Sequence, residues 1–68
     1  MTFKRLMQTI DLSDLELSRK LFIGRATAYR WNRGKKIPTS QVMRRALVRL
    51  VDLEIEDVDW RKVKRTHG

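Results

Sequence analysis

The first ten residues carry apolar side chains at the spacing of a helix. Four of them form one stripe: Phe3, Leu6, Met7 and Ile10. This i, i+3, i+4, i+7 pattern is typical of a short amphipathic helix that buries one face. The sequence therefore predicts a first helix that packs on a core along that stripe.

The start of the second predicted helix carries two local signals. Ser13 and Glu16 have the spacing of a capping box, in which the serine hydroxyl and the glutamate carboxylate each accept a hydrogen bond from the other residue's backbone N–H. Leu12 and Leu17 flank this box at the positions of a hydrophobic staple. We therefore predict a helix over 14–21.

Two glycines delimit a third predicted helix, over 25–33. Gly24 can serve as its N-cap, and Gly34 can follow its end in the left-handed conformation that glycine tolerates. Pro38 then indicates a loop, because a proline disfavours helical geometry in the residue before it.

A fourth predicted helix covers 40–53, with Thr39 as its cap. Its apolar stripe has five members: Met43, Ala46, Leu47, Leu50 and Val51. Val48 lies off this stripe, so we expect it outside the core.

The pattern is less regular towards the end of the chain. Asp57 can cap a short fifth helix through Val63, and residues 64–68 are expected to fray. No two segments show the alternation and tight turn of a strand pair. Since 68 residues fit one small domain, we predict a single all-α domain over 1–68, a compact bundle of four to five short helices.

Composition argues against several classes of function. The chain has no cysteine, and its one histidine, His67, lies in the terminal segment. We therefore predict no metal site, no cofactor and no nucleophile–base pair, and hence no enzyme. No apolar run approaches the roughly 20 residues that span a bilayer, and the start of the chain has no signal-peptide pattern. A protein of the bacterial cytoplasm without a membrane partner is expected.

The distribution of charge indicates a polyanionic partner. Sixteen Lys and Arg against eight Asp and Glu give a net charge of +8. Between Arg19 and Arg49 lie ten basic residues and no acidic one. A solvated surface normally mixes the two signs, so an unrelieved basic block favours a polyanion, above all nucleic acid.

The third predicted helix has two chemically different sides when its residues are placed 100° apart. Ala28 and Trp31 fall on one side, with Thr27 beside them, and we expect that side to face the core. The other side holds five residues: Arg25, Ala26, Tyr29, Arg30 and Arg33. An arginine fork can bind guanine O6 and N7, and an alanine methyl can contact a thymine methyl. Lys35 and Lys36 in the loop that follows are expected to bind phosphate.

The segment from Leu17 to Gly34, LSRKLFIGRATAYRWNRG, resembles the helix-turn-helix of the lambda-repressor-like, Cro/C1-type transcription regulators. Members of that family typically have a recognition helix that ends in Trp-x-x-Gly, as Trp31 and Gly34 do here. The resemblance extends over about 3–53 and implies a helix-turn-helix over about 14–33. It includes the Ile-Pro-Thr loop and the apolar helix after it.

Four positions depart from the family's pattern. Ser18 stands where an alanine is usual, Phe22 where the turn usually has a glycine, and Gly24 where a hydroxyl cap is usual. Asp14 lies at a helix start that often contacts phosphate, and its carboxylate would repel phosphate, so that contact is not expected here.

The resemblance implies sequence-specific binding of double-stranded DNA in the major groove. Base contacts are expected from Arg25, Ala26, Tyr29 and Arg30. Phosphate contacts are expected from Thr27, Arg33, Lys35 and Lys36. By analogy with the family we expect a phage or mobile-element repressor that binds a palindromic operator as a homodimer, because one recognition helix covers few base pairs. Candidate residues for the dimer interface are Val48, Ile55, Val58 and Trp60.

Two other interpretations stay open at this point. The segment around Tyr29 and Pro38 also resembles winged modules of the excisionase and MerR type, which need a β-hairpin after the proline. An antitoxin-like module, which binds a protein partner as well as DNA, is favoured by apolar residues in the second half of the chain, Val48 and Ile55 in particular.

Overall fold

A computed structural model describes residues 1–61 of the chain. Four α-helices follow one another: α1 (Phe3–Ile10), α2 (Asp14–Leu21), α3 (Arg25–Asn32) and α4 (Gln41–Arg49). A single 3-10 turn, Ile55–Asp57, comes after them. No strand pair occurs within residues 1–61, where Thr2 and Asp59 form one isolated bridge. The all-helical prediction is confirmed for this part of the chain.

The core is built from one face of each helix. Four large side chains are almost completely buried: Leu6, Leu17, Leu47 and Val48. The predicted stripe of α1 is buried as a whole, since Phe3, Met7 and Ile10 pack beside Leu6. The amphipathic pattern therefore placed α1 correctly.

Each of the four helices is followed by one residue in the left-handed conformation. These residues are Asp11 (φ 53°), Phe22 (φ 57°), Gly34 (φ 69°) and Asp52 (φ 61°). Glycine takes this conformation freely and aspartate tolerates it, whereas an aromatic residue rarely adopts it. Phe22 is therefore the exception among the four.

The bounds of α4 differ from the prediction. Ser40, and not Thr39, caps the helix, because its hydroxyl accepts a hydrogen bond from the Met43 backbone N–H at 3.4 Å. The helix ends at Arg49 instead of Leu53, because Asp52 turns left-handed and Leu53 N–H reaches back to the Val48 carbonyl at 2.9 Å.

The expectation for Val48 was wrong. Its side chain is only 1% exposed, because the chain beyond α4 folds back over the side of the helix on which Val48 lies. The cleft at that point is lined by Val48 together with Leu53 and Ile55. A wheel drawn for α4 alone cannot include this returning segment.

The predicted fifth helix does not start at Asp57. Asp57 instead closes the 3-10 turn, and its carboxylate accepts the Glu54 N–H at 2.9 Å. Val58 is then extended and buried. The predicted helix end at Val63 and the segment 64–68, which was expected to fray and contains His67, lie outside the described residues.

The beginning of the chain and residues 55–60 hold each other in what we call the terminal closure. The Met1 amine donates to the Asp57 carbonyl at 2.7 Å, and Asp59 N–H donates to the Met1 carbonyl at 2.7 Å. The Trp60 indole N–H donates to the Ile55 carbonyl at 2.9 Å, and its ring centroid lies 5.8 Å from that of Phe3. The contacts made by Met1 and Phe3 are long-range, and they fasten residues 57–60 to the beginning of the chain and to α1.

No helix within residues 1–61 has the length and apolar character that crossing a membrane requires.

Candidate nucleic-acid interface

Helix α3 buries one side and exposes the other, as its residue pattern predicts. Ala28 is 0% and Trp31 5% exposed, and both belong to the core. The opposite side is open to solvent: Arg25, Ala26, Tyr29 and Arg30 are all exposed. Because Ala28 has so small a side chain, α3 can lie close to its neighbours, and its outer side is presented on a rigid base.

Helix α2 begins with the capping box that the sequence predicts. Ser13 Oγ accepts the Glu16 N–H at 3.1 Å, and Glu16 Oε1 accepts the Ser13 N–H at 3.3 Å. Ser18, which stands where the resembled family has alanine, is 7% exposed and donates its hydroxyl to the Leu15 carbonyl at 2.8 Å. The hydroxyl is therefore satisfied within α2.

A polar network joins the end of α3 to the start of α2. The Asn32 side-chain amide donates to Asp14 Oδ1 at 2.7 Å and to the Leu12 carbonyl at 3.1 Å. The Arg33 guanidinium lies 3.4 Å from both Asp14 carboxylate oxygens. Sequence reasoning assigned Asp14 only a repulsive effect on phosphate. Its partners are 18 and 19 residues away along the chain, and no local pattern indicates them.

The end of α3 is fixed by Gly34 in the role predicted for it. Gly34 N–H donates to the Trp31 carbonyl at 3.0 Å, and Lys35 N–H donates to the Arg30 carbonyl at 2.8 Å. With Gly34 at φ 69°, this is the bonding pattern of a Schellman motif. The motif turns the chain sharply, so Lys35 and Lys36 follow directly after the exposed side of α3.

Tyr29 lies among cations on the exposed side. The Arg33 guanidinium carbon is 3.8 Å and the Lys35 ammonium nitrogen 5.7 Å from the centroid of its ring. Contacts of this kind hold the tyrosine ring against the helix end. Arg33 therefore has two partners inside the protein, Tyr29 and Asp14, which reduces its availability as the phosphate ligand expected from the sequence.

A cleft of about 230 Å³ separates α3 from the start of α4. Two cationic side chains, Arg30 and Lys36, line it together with the hydroxyl-bearing Thr27, Thr39 and Ser40, above an apolar floor that includes Trp31. The structure thus brings Thr27 and Lys36, two expected phosphate ligands, next to Arg30, an expected base reader. Arg25 and Ala26 are not among the residues of this cleft.

The candidate dimer residues are placed differently from the expectation. Val48 and Val58 are 1% and 6% exposed and belong to the core, so they offer little surface to a second copy. Val48 is covered because the chain beyond α4 folds back over it, and Val58 belongs to that returning segment and packs into the same core. Ile55 and Trp60 are partly buried and pack against the same core.

Electrostatically, the exposed side of α3 is cationic. Within residues 1–61 the ion pairs are Arg33 with Asp14 and Arg61 with Asp59. Arg25 and Arg30 therefore have no ion-pair partner in the described part of the chain. No group of residues that could hold a metal ion occurs there either.

No protein-family model, curated protein or solved structure matches the chain.

Proposed function

We propose that the chain is a sequence-specific DNA-binding regulator of transcription, in which α2 and α3 act as a helix-turn-helix and α3 enters the major groove. The observation that carries this proposal is the two-sided character of α3. Its inner side is anchored by Ala28 and Trp31, while its outer side exposes Arg25, Tyr29 and Arg30.

The shape of the unit supports this role. An α-helix fits the major groove of B-DNA when its outward side chains are free to reach base edges. Here two eight-residue helices are joined by a three-residue turn, Phe22 to Gly24, and are tied again by the bond from Asn32 to Asp14. The turn at the start of α3 and the hydrogen bond at its end keep α3 in a fixed orientation on α2.

The chemistry of the exposed side fits base edges and phosphates. Arg25 and Arg30 can each bind a guanine bidentately, and Ala26 can contact a thymine methyl. Lys35 and Lys36 follow at the helix end, where point charges can bind phosphate without reading sequence. The residues from Arg19 to Arg49 contain no acid that would oppose this contact.

The regulator that we propose is a repressor that binds a palindromic site as a homodimer, because two half-sites one helical turn apart add affinity and specificity. The two alternatives are less well supported. Helix α4 follows directly on the loop at Pro38, where a wing would need a hairpin. Val48, which favoured a protein-binding module, is buried inside the chain.

Salt dependence of binding tests the proposal. Wild-type protein should enrich a preferred duplex from a random pool of about 25 base pairs, enough for two half-sites. Log affinity for it should fall with log salt by about 0.9 per phosphate neutralised. Replacing Lys35 and Lys36 by Gln should reduce the slope by about 2.

Lys4→Gln on α1 removes one exposed charge outside α3 and serves as the control, with an unchanged slope expected. An affinity that does not respond to salt, or a pool from which nothing is enriched, contradicts the proposed function.

A further inference from the structure

The turn between α2 and α3 contains a residue that the fold itself does not require. Phe22 has φ 57° and ψ 46°, and its N–H and that of Ile23 both donate to the Ser18 carbonyl. This is the left-handed residue that ends a helix, a position that glycine fills without strain. A phenylalanine there makes the turn less favourable than a glycine does.

Packing gives no compensation for that strain. The Phe22 side chain is 94% exposed, more than any other large apolar residue in the part of the chain that the structure describes. The next, Val42, is 75% exposed. The left-handed backbone of Phe22 is strained, and its exposed ring gains no packing inside the chain in return, which points to a contact outside it.

The surroundings of Phe22 decide between partners. Arg19 and Lys20 precede it in the last turn of α2, Arg25 follows it in the first turn of α3, and all three are exposed. A second copy of the chain, docked through this point, would bring two such cationic sets against each other. A polyanion is complementary to them.

We infer that Phe22 makes an apolar contact with the DNA that α3 binds, at the edge of the groove, on a thymine methyl or a deoxyribose. The inference rests on the proposed function. Phenylalanine is among the side chains that contact thymine methyl groups, and Phe22 lies two residues before Gly24, the cap of α3. The cations on either side of Phe22 would hold phosphates while the ring contacts the apolar part of the nucleotide.

Phe22→Gly separates this role from a structural one. Glycine relieves the left-handed strain, so the melting temperature should equal or exceed that of wild type. Affinity for the enriched duplex should fall about tenfold, the effect of losing roughly half the burial of a phenylalanine side chain. The salt slope should stay unchanged, because no charge is removed. Phe22→Leu keeps an apolar group and should retain most of the affinity.

Val42→Ala is the matched control, since it truncates another highly exposed apolar residue on a different helix. It should leave affinity unchanged. A duplex with uracil in place of thymine distinguishes the two sources of the contact. If wild type loses more affinity on it than Phe22→Gly does, the partner of Phe22 is the methyl group; if the two proteins lose the same amount, it is the sugar.

If Phe22→Gly binds the duplex with the affinity of wild type, the inference is overturned and the proposed function remains in place. The inference is also overturned if Phe22→Gly changes the sedimentation coefficient of the free protein but not its affinity for the duplex, because Phe22 would then contact another protein chain. If wild type enriches no duplex at all, the proposed function fails and the inference with it.

Discussion

The outer side of α3 and the terminal closure use their polar groups in opposite ways. In the closure, the Met1 amine, the Trp60 indole and the Asp59 carboxylate all have partners inside the chain. On α3, Arg25 and Arg30 have no ion-pair partner among residues 1–61. The polar groups of the closure hold the fold together, whereas these two arginines form no ion pair within residues 1–61.

The same contrast holds for the apolar residues. The closure places Phe3 and Val58 in the core and the Trp60 ring beside them. Helix α3 contributes only Ala28 and Trp31 to that core. We conclude that the first residues of the chain and residues 55–60 supply much of the framework on which α3 is carried, so changes in the two regions should affect different measurements.

The largest effect should come from the one large side chain that anchors α3. Trp31 is 5% exposed, and truncating a buried tryptophan typically costs about 3–5 kcal/mol, a large share of the 5–15 kcal/mol that stabilises a domain. Trp31→Ala should therefore unfold the protein or lower its melting temperature sharply by circular dichroism. DNA binding should be lost as a consequence.

Trp60→Ala is the matched control in the terminal closure. Its indole is only partly buried, so the loss of stability should be smaller, and the folded fraction should bind DNA like wild type. In this variant Trp31 is the sole tryptophan, and its fluorescence should be blue-shifted. A Trp31→Ala protein that keeps its melting temperature but loses affinity would show that Trp31 contacts DNA instead of the core.

The next largest effects are expected on DNA affinity, when either of the two cationic side chains at the α3–α4 cleft, Arg30 or Lys36, is replaced. Arg30→Ala should weaken binding to the enriched duplex by about 1–3 kcal/mol and to random DNA very little, because a base contact is lost. Lys36→Ala should weaken binding to both alike, because a phosphate contact is lost. Titration of both variants on both duplexes measures this.

Arg30 and Lys36 line the same cleft, so a difference between the two variants reflects their contacts and not their location. If the two variants respond identically on both duplexes, Arg30 binds phosphate beside Lys36, and base reading is left to the other exposed residues of α3.

Asp14→Asn should raise DNA affinity at a small loss of stability. An amide oxygen can still accept the hydrogen bond from Asn32, but the charge facing Arg33 disappears. Stability should fall by up to about 1 kcal/mol, the range of a partly exposed ion pair. Affinity should rise at low salt, since an anion is removed and Arg33 becomes available to phosphate.

Asp52→Asn gives the control for this charge change. Asparagine tolerates the left-handed conformation at that position, and the residue lies after α4 rather than on the α2–α3 unit. A rise in affinity equal to that of Asp14→Asn would assign the effect to net charge alone.

The smallest expected effect is on the stability of the fold, comes from the Asp59–Arg61 pair beside the terminal closure, and depends on pH. Hydrogen bonds from the Arg61 side chain, and then from its backbone, lower the pKa of Asp59 from 3.8 to about 2. A lowered pKa in the folded state contributes stability above the unfolded value, and that contribution is lost as the pH falls from about 4 to about 2. Because the pair is exposed, the loss should be slight. Carboxyl NMR titration should show the pKa of Asp59 returning towards 3.8 in Arg61→Ala, with DNA affinity at neutral pH little changed.

The local pattern of the sequence was sufficient for the first three helices. The stripe of α1, the Ser13–Glu16 box and the two glycines around α3 act within a few residues of chain. Their physical causes are hydrogen bonds and contacts between near neighbours, so a sequence window contains all the participants. The two sides of α3 follow for the same reason.

Tertiary structure alone decided what happens after α4 and between α2 and α3. Val48 is buried because a later segment returns over it, and Trp60 meets Phe3 across almost the whole described chain. Asp14 finds Asn32 only when α3 is docked on α2. In each case the partner lies outside the helix concerned, so its position depends on how the segments pack and not on the periodicity of any one helix.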